Sequence, residues 1–103
     1  ILVVELAGSF VGQVKFKIDN SRATISLSLD TLHRGMGIGW KVISESVEYL
    51  IKMKKGMSDI IAFIKNDNIA SIRSFEKAGF LYIGLEDVNG ITLSRYAKAI
   101  ERL

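Results

Sequence analysis

The chain has 103 residues, the length of one modest domain, of which 49% are apolar and 24% charged. This balance is typical of a folded globular protein and argues against intrinsic disorder. The absence of cysteine excludes a disulfide scaffold, a thiolate zinc site and a cysteine nucleophile, and it favours a reducing, cytoplasmic location. Because His33 is the single histidine, zinc chemistry is a poor candidate, and we predict no metal site.

The net charge of +3 is small, and the basic cluster Lys52, Lys54 and Lys55 suits the end of a helix better than a nucleic-acid surface. No apolar run approaches the roughly 20 residues that cross a bilayer. We therefore predict neither a nucleic-acid partner nor a membrane. Since the chain begins at Ile1, inside a predicted strand, we expect it to be part of a longer protein.

The first third of the chain alternates apolar and polar side chains with the period of β-strands. The strand-like runs are 1–6, 10–18 and 23–29. Turn residues separate them, at Ala7-Gly8-Ser9 and Asp19-Asn20-Ser21. Three consecutive strands with short connections predict an antiparallel meander.

The pattern then changes to two helices and further strands. Apolar spacings of one, three and four predict a helix over about 38–53, ended by Gly56, and Asn68 is expected to cap a second helix that stops at Gly79. The continuous apolar run 60–65 predicts a strand buried on both faces. The closing hairpin is predicted from 80–86 and 91–99, around a turn at 88–90. The order β-β-β-α-β-α-β-β predicts one α+β domain over 1–103, in which helices flank a mixed, mostly antiparallel sheet.

A glycine-rich segment, Arg34-Gly35-Met36-Gly37-Ile38-Gly39, joins the third strand to the first helix. Helix N-terminal N–H groups and the positive end of the dipole favour anions, above all phosphate. A dinucleotide fingerprint fails because Trp40 stands where its third glycine belongs, and the Gly-Lys-Ser/Thr of a Walker A loop is absent. From the residues alone, a phosphate loop and a simple turn of the chain both remain open.

The same segment resembles the acetyl-coenzyme A loop of the GNAT superfamily of N-acetyltransferases, whose signature is Gln/Arg-x-x-Gly-x-Gly/Ala. A second segment, Asn68 to Phe80 (NIASIRSFEKAGF), resembles the family's Asn-x-x-(Ala/Ser)-x-x-x-(Tyr/Phe)-x-(Lys)-x-Gly-Phe element. The two motifs stand in the family's order with a strand between them, and together they cover roughly 23–85. The resemblance implies a GNAT-like fold of the three-layer α/β type, with a mixed central sheet flanked by helices, that lacks the family's usual first strand and first helices.

The resemblance also implies a set of acetyl-CoA contacts. In the family the strand before the loop splays from the next parallel strand, and the pantetheine arm lies in the gap between them. Carried over, the backbone from Leu27 to Leu29 would bind pantetheine, and one N–H near Leu29 would polarise the thioester carbonyl. Asn68 would reach the cofactor or act as a plain helix cap. Ser71 and Phe75 are further expected contacts on the second helix. The amides expected to cradle the pyrophosphate are those of Arg34, Gly35, Met36, Gly37, Ile38, Gly39 and Trp40.

The resemblance implies direct attack of a primary amine on acetyl-CoA in a ternary complex. Phe75 stands where many members carry a tyrosine that protonates the leaving thiolate, and it also suits a core position. Glu86 and Tyr96 are further polar residues of the hairpin, but nothing in the sequence aims them at a substrate, so the catalytic residues stay unknown. The acceptor is expected to be a small-molecule or peptide amine, with a nucleotide-linked amino sugar or a protein N-terminus favoured. The alternative is a non-catalytic CoA-binding or oligomerisation module, and a homodimer is a further expectation.

Overall fold

The computed structural model of the chain describes residues 2–5, 12–29 and 39–100. These residues form strands and helices in the predicted order β-β-β-α-β-α-β-β. The strands are β1 (Leu2–Glu5), β2 (Gly12–Asp19), β3 (Arg22–Leu29), β4 (Asp59–Lys65), β5 (Leu81–Val88) and β6 (Ile91–Ala99). The helices are α1 (Gly39–Met53) and α2 (Ile69–Lys77).

All six strands belong to one sheet with the order β1-β2-β3-β4-β6-β5. Neighbouring strands are antiparallel except for β3 and β4, which α1 joins as a parallel pair. The prediction of a mixed, mostly antiparallel sheet with flanking helices is confirmed. Of the residues that the structure describes, none belong to a helix long and apolar enough to span a membrane.

Both helices pack on the same face of the sheet, because their apolar stripes share one core with alternate residues of the strands. On α1 the buried positions include Val42, Ile43, Val47 and Leu50, the face that the sequence predicted. On α2 the ring of Phe75 meets that of Phe80 edge-to-face, with 5.1 Å between centroids. The strand side chains of this core include Val14, Phe16, Ile25, Ile60, Ala62 and Ile64.

The turns and helix ends use the residues that their backbone angles demand. Asn89 and Gly90, with φ of 52° and 80°, close the β5–β6 hairpin as a two-residue turn. Gly79, with φ of 95°, follows α2, as predicted. The Nζ of Lys98 donates a 2.8 Å hydrogen bond to the Ala78 carbonyl oxygen at the same helix end.

One prediction for β4 is wrong in part. The run 60–65 was expected to be buried on both faces, but Phe63 is 41% exposed. Its side chain points away from the helices, in a section where β3 no longer pairs with β4. The predicted turn at Ala7-Gly8-Ser9 and the glycine-rich segment Arg34–Ile38 lie outside the described residues.

Candidate functional site

The candidate site is the place where the parallel strands β3 and β4 separate. Their ladder has four residue pairs, from Arg22 with Asp59 to Ile25 with Ala62. Both strands then continue, β3 to Leu29 and β4 to Lys65, without pairing to each other. We name the unpaired section the wedge, formed by 26–29 of β3 and 63–65 of β4. Backbone N–H and C=O groups on its inner edges have no partner in a neighbouring strand.

The opposite end of the ladder is tightly held. Arg22 forms a two-pronged ion pair with Asp59, in which Nε and Nη2 each donate a 3.1 Å hydrogen bond to one carboxylate oxygen. That hydrogen bond, together with the charge of Asp59, raises the pKa of Arg22. Nearby, the Ser58 N–H donates a 2.6 Å hydrogen bond to the Ser21 carbonyl oxygen. The strands are therefore joined at their amino ends and free at their carboxyl ends.

The carboxyl end of β4 is held by β6 instead of β3. The Asn66 N–H donates to the Thr92 carbonyl oxygen at 3.3 Å, and the buried Ser94 hydroxyl donates to Asn66 Oδ1 at 3.0 Å. These two bonds direct the chain from β4 toward β6 before α2 begins. They give a local reason for the departure of β4 from β3.

Helix α1 begins at Gly39, beyond the carboxyl end of β3, and its first turn contains no acidic residue. The positive end of its dipole is therefore uncompensated by its own side chains. Lys77, at the end of α2, places its Nζ 4.7 Å from the centre of the Trp40 ring. A second positive charge thus lies beside the first turn of α1, and the two together suit an anionic ligand.

Three residues separate β4 from α2, and the last of them, Asn68, caps the helix. Asn68 Oδ1 accepts the N–H of Ser71 at 3.2 Å, so the predicted capping role is confirmed. The amide nitrogen of Asn68 makes no hydrogen bond with any residue in the described ranges, which leaves it a donor beside the wedge. A capping role and a ligand contact are therefore compatible for this one side chain.

Two aromatic residues that the sequence analysis discussed lie in the core. Phe75 is 3% exposed, which agrees with its interpretation as a core residue. Tyr96 is also buried, beside Ala62 on the helix side of the sheet, and its ring meets that of Tyr82 at 5.6 Å between centroids. Burial raises the pKa of Tyr96, with smaller contributions from Glu76 and Tyr82, so its hydroxyl keeps its proton at neutral pH.

The face of the sheet opposite α1 and α2, which we name the far face, carries a residue that the sequence analysis did not single out. Arg95 projects there because its neighbours Ser94 and Tyr96 are buried on the helix side. Its Cα is paired with those of Phe63 on one side and Gly84 on the other. Two sequence signals could have pointed to Arg95: its charge within a predicted strand, and the glycine, Gly84, within the neighbouring predicted strand.

The predicted site residues lie around the wedge, in the core or outside the described residues. Leu27 and the backbone of Leu29 lie on the β3 side of the wedge, and Gly39 and Trp40 begin α1. Asn68 caps α2, and Ser71 lies in the first turn of that helix. Phe75 is in the core below them. Arg34, Gly35, Met36, Gly37 and Ile38 lie outside the described residues. Across 2–5, 12–29 and 39–100, no three His, Cys, Asp or Glu side chains are grouped as metal ligands would be.

Comparison with known proteins gives a consistent family. The family model described as "Acetyltransferase (GNAT) family" matches residues 1–80. The chain is 32% identical over 75 residues to a protein of Bacillus subtilis (strain 168) named "Putative phosphinothricin acetyltransferase". That match covers 69% of this chain and 45% of the relative, so the chain spans less than half of the relative's length.

Solved structures share the fold. An aminoglycoside acetyltransferase in complex with coenzyme A superposes with a TM-score of 0.80 at 21% identity, over 91% of this chain and 62% of that one. A variant of a spermidine N-acetyltransferase from Vibrio cholerae gives 0.78 at 20% identity, over 94% and 63% of the two chains. The structural likeness agrees with the sequence match and with both motifs. The chain belongs to the GNAT family of acetyltransferases.

Proposed function

We propose that the chain carries the acetyl-CoA-binding core of an N-acetyltransferase that transfers acetyl from acetyl-CoA to a primary amine while both are bound. The observation that carries this proposal is the wedge between β3 and β4, with one helix beginning beside each strand. A parallel pair that opens at its carboxyl ends is a typical place for a ligand in sheets with crossover helices. Acetyl-CoA combines an extended amide-containing arm with phosphates. The backbone edges of the wedge are complementary to the arm, and the start of α1 beside the wedge is complementary to the phosphates.

The arm of the cofactor would be bound as an added strand. The backbone from Leu27 to Leu29 has free edges toward the wedge, and pantetheine amides would pair with them as a peptide pairs with a sheet edge. One N–H near Leu29 would hydrogen-bond the thioester carbonyl oxygen, where negative charge develops during attack.

The phosphates would lie against the start of α1. The amides of Arg34–Trp40 would supply donors, and the ammonium group of Lys77 adds positive charge beside Trp40. Asn68 would donate from its amide nitrogen, with Ser71 beside it on the first turn of α2. Phe75 would support this surface from the core beneath.

Acetyl-CoA supplies an activated thioester. The neutral amine nitrogen forms a bond to the acetyl carbon, the carbon–sulfur bond breaks with its electron pair on sulfur, and the amine loses one proton to water. Phe75 has no proton to donate, so the CoA thiolate would leave without an acid or be protonated by water. The chain's contribution is to hold both substrates together and to polarise the carbonyl. No general base is assigned.

The acceptor class is open within primary amines. The relatives are named for phosphinothricin, aminoglycosides and spermidine. A nucleotide-linked amino sugar or a protein N-terminus, suggested by the sequence, belongs to the same broad class. We propose a cytoplasmic location on the basis of the absence of cysteine.

A non-catalytic CoA-binding or oligomerisation module is the second candidate, and one observation favours it. The β5–β6 hairpin exposes large apolar side chains, among them Leu81 at 73% and Leu85 at 55%. Such a surface suits a homodimer contact. Release of CoA thiol in the presence of mixed amines separates an enzyme from a module, and light scattering measures the oligomeric state.

Thermal unfolding with and without millimolar acetyl-CoA tests the cofactor site. A ligand at about 100 times its dissociation constant adds roughly 2.7 kcal/mol to the free energy of unfolding, which raises Tm by several degrees. Gly37→Glu puts a carboxylate in the glycine-rich segment and should abolish that rise. Ser58→Glu adds the same charge at the joined end of the ladder and should keep it. No rise in the unmodified chain would contradict the proposal.

A further inference from the structure

We propose that Arg95 binds an acid group of the acceptor, so that the acceptor is a primary amine that also carries a carboxylate or phosphinate. This inference rests on the proposed acetyl transfer and deepens it by naming the substrate class.

The first observation is that Arg95 is unpaired among the described residues. Its Nε is buried and has no hydrogen-bond partner within 2–5, 12–29 and 39–100. A buried donor without a partner is costly, and it is more so when the group is charged. Guanidinium groups match planar two-oxygen anions through paired hydrogen bonds. An acid group of a ligand would supply the hydrogen-bond partner that Arg95 lacks among the described residues.

The second observation is that the guanidinium has a defined place on the far face. Gly84 lies at a register shift of the β5–β6 ladder, with φ of 139°. A Cβ added at Gly84 would stand 3.3 Å from Arg95 Nη2, so the absence of a side chain there makes room for the guanidinium. On the other side, the Cα of Arg95 is paired with that of Phe63 at the wedge.

The third observation is the short distance between Arg95 and the proposed reaction site. Adjacent strands are about 5 Å apart, so the backbone of Arg95 lies one strand from the β4 side of the wedge. An acceptor on the far face could therefore place an acid group at Arg95 and its amine at the wedge. Phe63, exposed between the two positions, would contact the carbon chain of the acceptor.

Charge on the far face favours the same class. At the level of the wedge, the described side chains on this face include three bases, Lys15, Lys65 and Arg95, and one carboxylate, Glu86, which stands across the ladder from Leu93. The β1–β2 register places a second acidic residue, Glu5, on the same face, so the bases still outnumber the acids. This excess of positive charge would repel a polyamine or an aminoglycoside and attract an amine that also carries negative charge.

The test compares acceptors by CoA release with the full chain. The acid-bearing probe is phosphinothricin, the cationic probes are spermidine and kanamycin, and the neutral probe is benzylamine. We expect the largest kcat/KM for phosphinothricin. In Arg95→Met, which keeps an unbranched apolar side chain for packing, its kcat/KM should fall about 30-fold or more, mainly through KM. The kcat/KM for benzylamine should change less than about threefold.

Two further variants control for folding and for general charge. Arg95→Lys keeps the charge without the planar fork and should give an intermediate loss. Lys17→Met removes an exposed far-face charge beside the closed part of the ladder and should leave phosphinothricin turnover unchanged. If phosphinothricin turnover survives Arg95→Met, or if spermidine is the preferred acceptor, the inference is overturned. If no probe releases CoA while acetyl-CoA still raises Tm, the proposed acetyl transfer is overturned as well. If acetyl-CoA does not raise Tm, the proposed cofactor site is overturned.

Discussion

The two ends of the β3–β4 ladder differ in every respect that matters for binding. At the amino end, Arg22 and Asp59 join the strands through a two-pronged ion pair, and a backbone bond links Ser58 to Ser21. At the carboxyl end, the strands are unpaired over several residues, and β4 is fastened to β6 through Asn66. One end therefore stabilises the fold, while the other keeps backbone groups available to a ligand.

The contrast teaches that an opening in a sheet needs a firm closure nearby. Unpaired strand edges cost stability unless water or a ligand satisfies them. A short ladder with an ion pair at one end lets the other end diverge without separating the strands. The comparison predicts that substitutions at the closed end mainly lower folding stability. Substitutions at the open end should mainly weaken ligand binding.

The largest expected effect is on folding stability along β4. Ile60→Ala removes a fully buried side chain in the paired section and should lower the free energy of unfolding by about 2–5 kcal/mol. Phe63→Ala, in the wedge, should cost less, about 1 kcal/mol, because the residue is already 41% exposed in the folded protein. Urea unfolding measures both. Equal losses for the two variants would contradict the division between a closed and an open section.

The next effect concerns the two roles of Asn68. Asn68→Asp keeps an oxygen acceptor for the Ser71 N–H and adds negative charge at a helix start, so stability should hold or rise slightly. Loss of the amide donor and the added charge should weaken acetyl-CoA binding by roughly tenfold. Calorimetric titration measures the affinity. Asn68→Ser, which caps without a charge, should weaken binding less, and unchanged affinity in both variants would leave Asn68 as a cap alone.

A smaller effect is expected at the ion pair. Arg22→Met should lower Tm in dilute buffer, because both hydrogen bonds to Asp59 are lost. The difference should shrink in 1 M salt, where the screening length falls to about 3 Å. Acetyl-CoA affinity should not change, since the pair lies at the end away from the wedge. A loss that is independent of salt would show that the pair acts by packing.

The smallest effect appears only at alkaline pH. Because burial raises the pKa of Tyr96, the folded protein retains a proton that the unfolded chain loses near pH 10. The stability that this hydroxyl contributes is complete below that pH and is lost as pH rises through the folded-state pKa. Tyr96→Phe should therefore flatten the fall in Tm above pH 10. Tyr82→Phe, an exposed ring in contact with Tyr96, should alter that fall less.

The elements of this fold could be predicted from the sequence because their signals are local. Alternation of Val14, Lys15 and Phe16 marks a strand, Asn68 marks a helix start, and Asn89-Gly90 marks a hairpin turn. Each of these depends on residues a few positions apart, and each is confirmed.

The features without a local signal in the sequence depend on distant residues. No residue near Ile25 or Ala62 indicates that their ladder stops there, because the cause includes bonds from Asn66 to β6. The family resemblance, and no local pattern, implied that these two strands splay apart. The apolar run of β4 concealed the exposure of Phe63 for the same reason. Lys98, a residue of β6, donates to the Ala78 carbonyl oxygen at the end of α2 from twenty residues further along the chain. The roles assigned to Arg34–Ile38 from the family motif stay predictions.

The four-pair ladder also has a mechanical consequence. Strands β1–β3 and strands β4, β6 and β5 are two antiparallel plates, and the short ladder is the hinge between them. Rotation about this hinge would change the width of the wedge while leaving each plate's own hydrogen bonds intact. The core beneath α1 limits that rotation from the helix side. The wedge would therefore adjust to the thickness of a ligand by bending at a few residue pairs, without repacking of the whole domain.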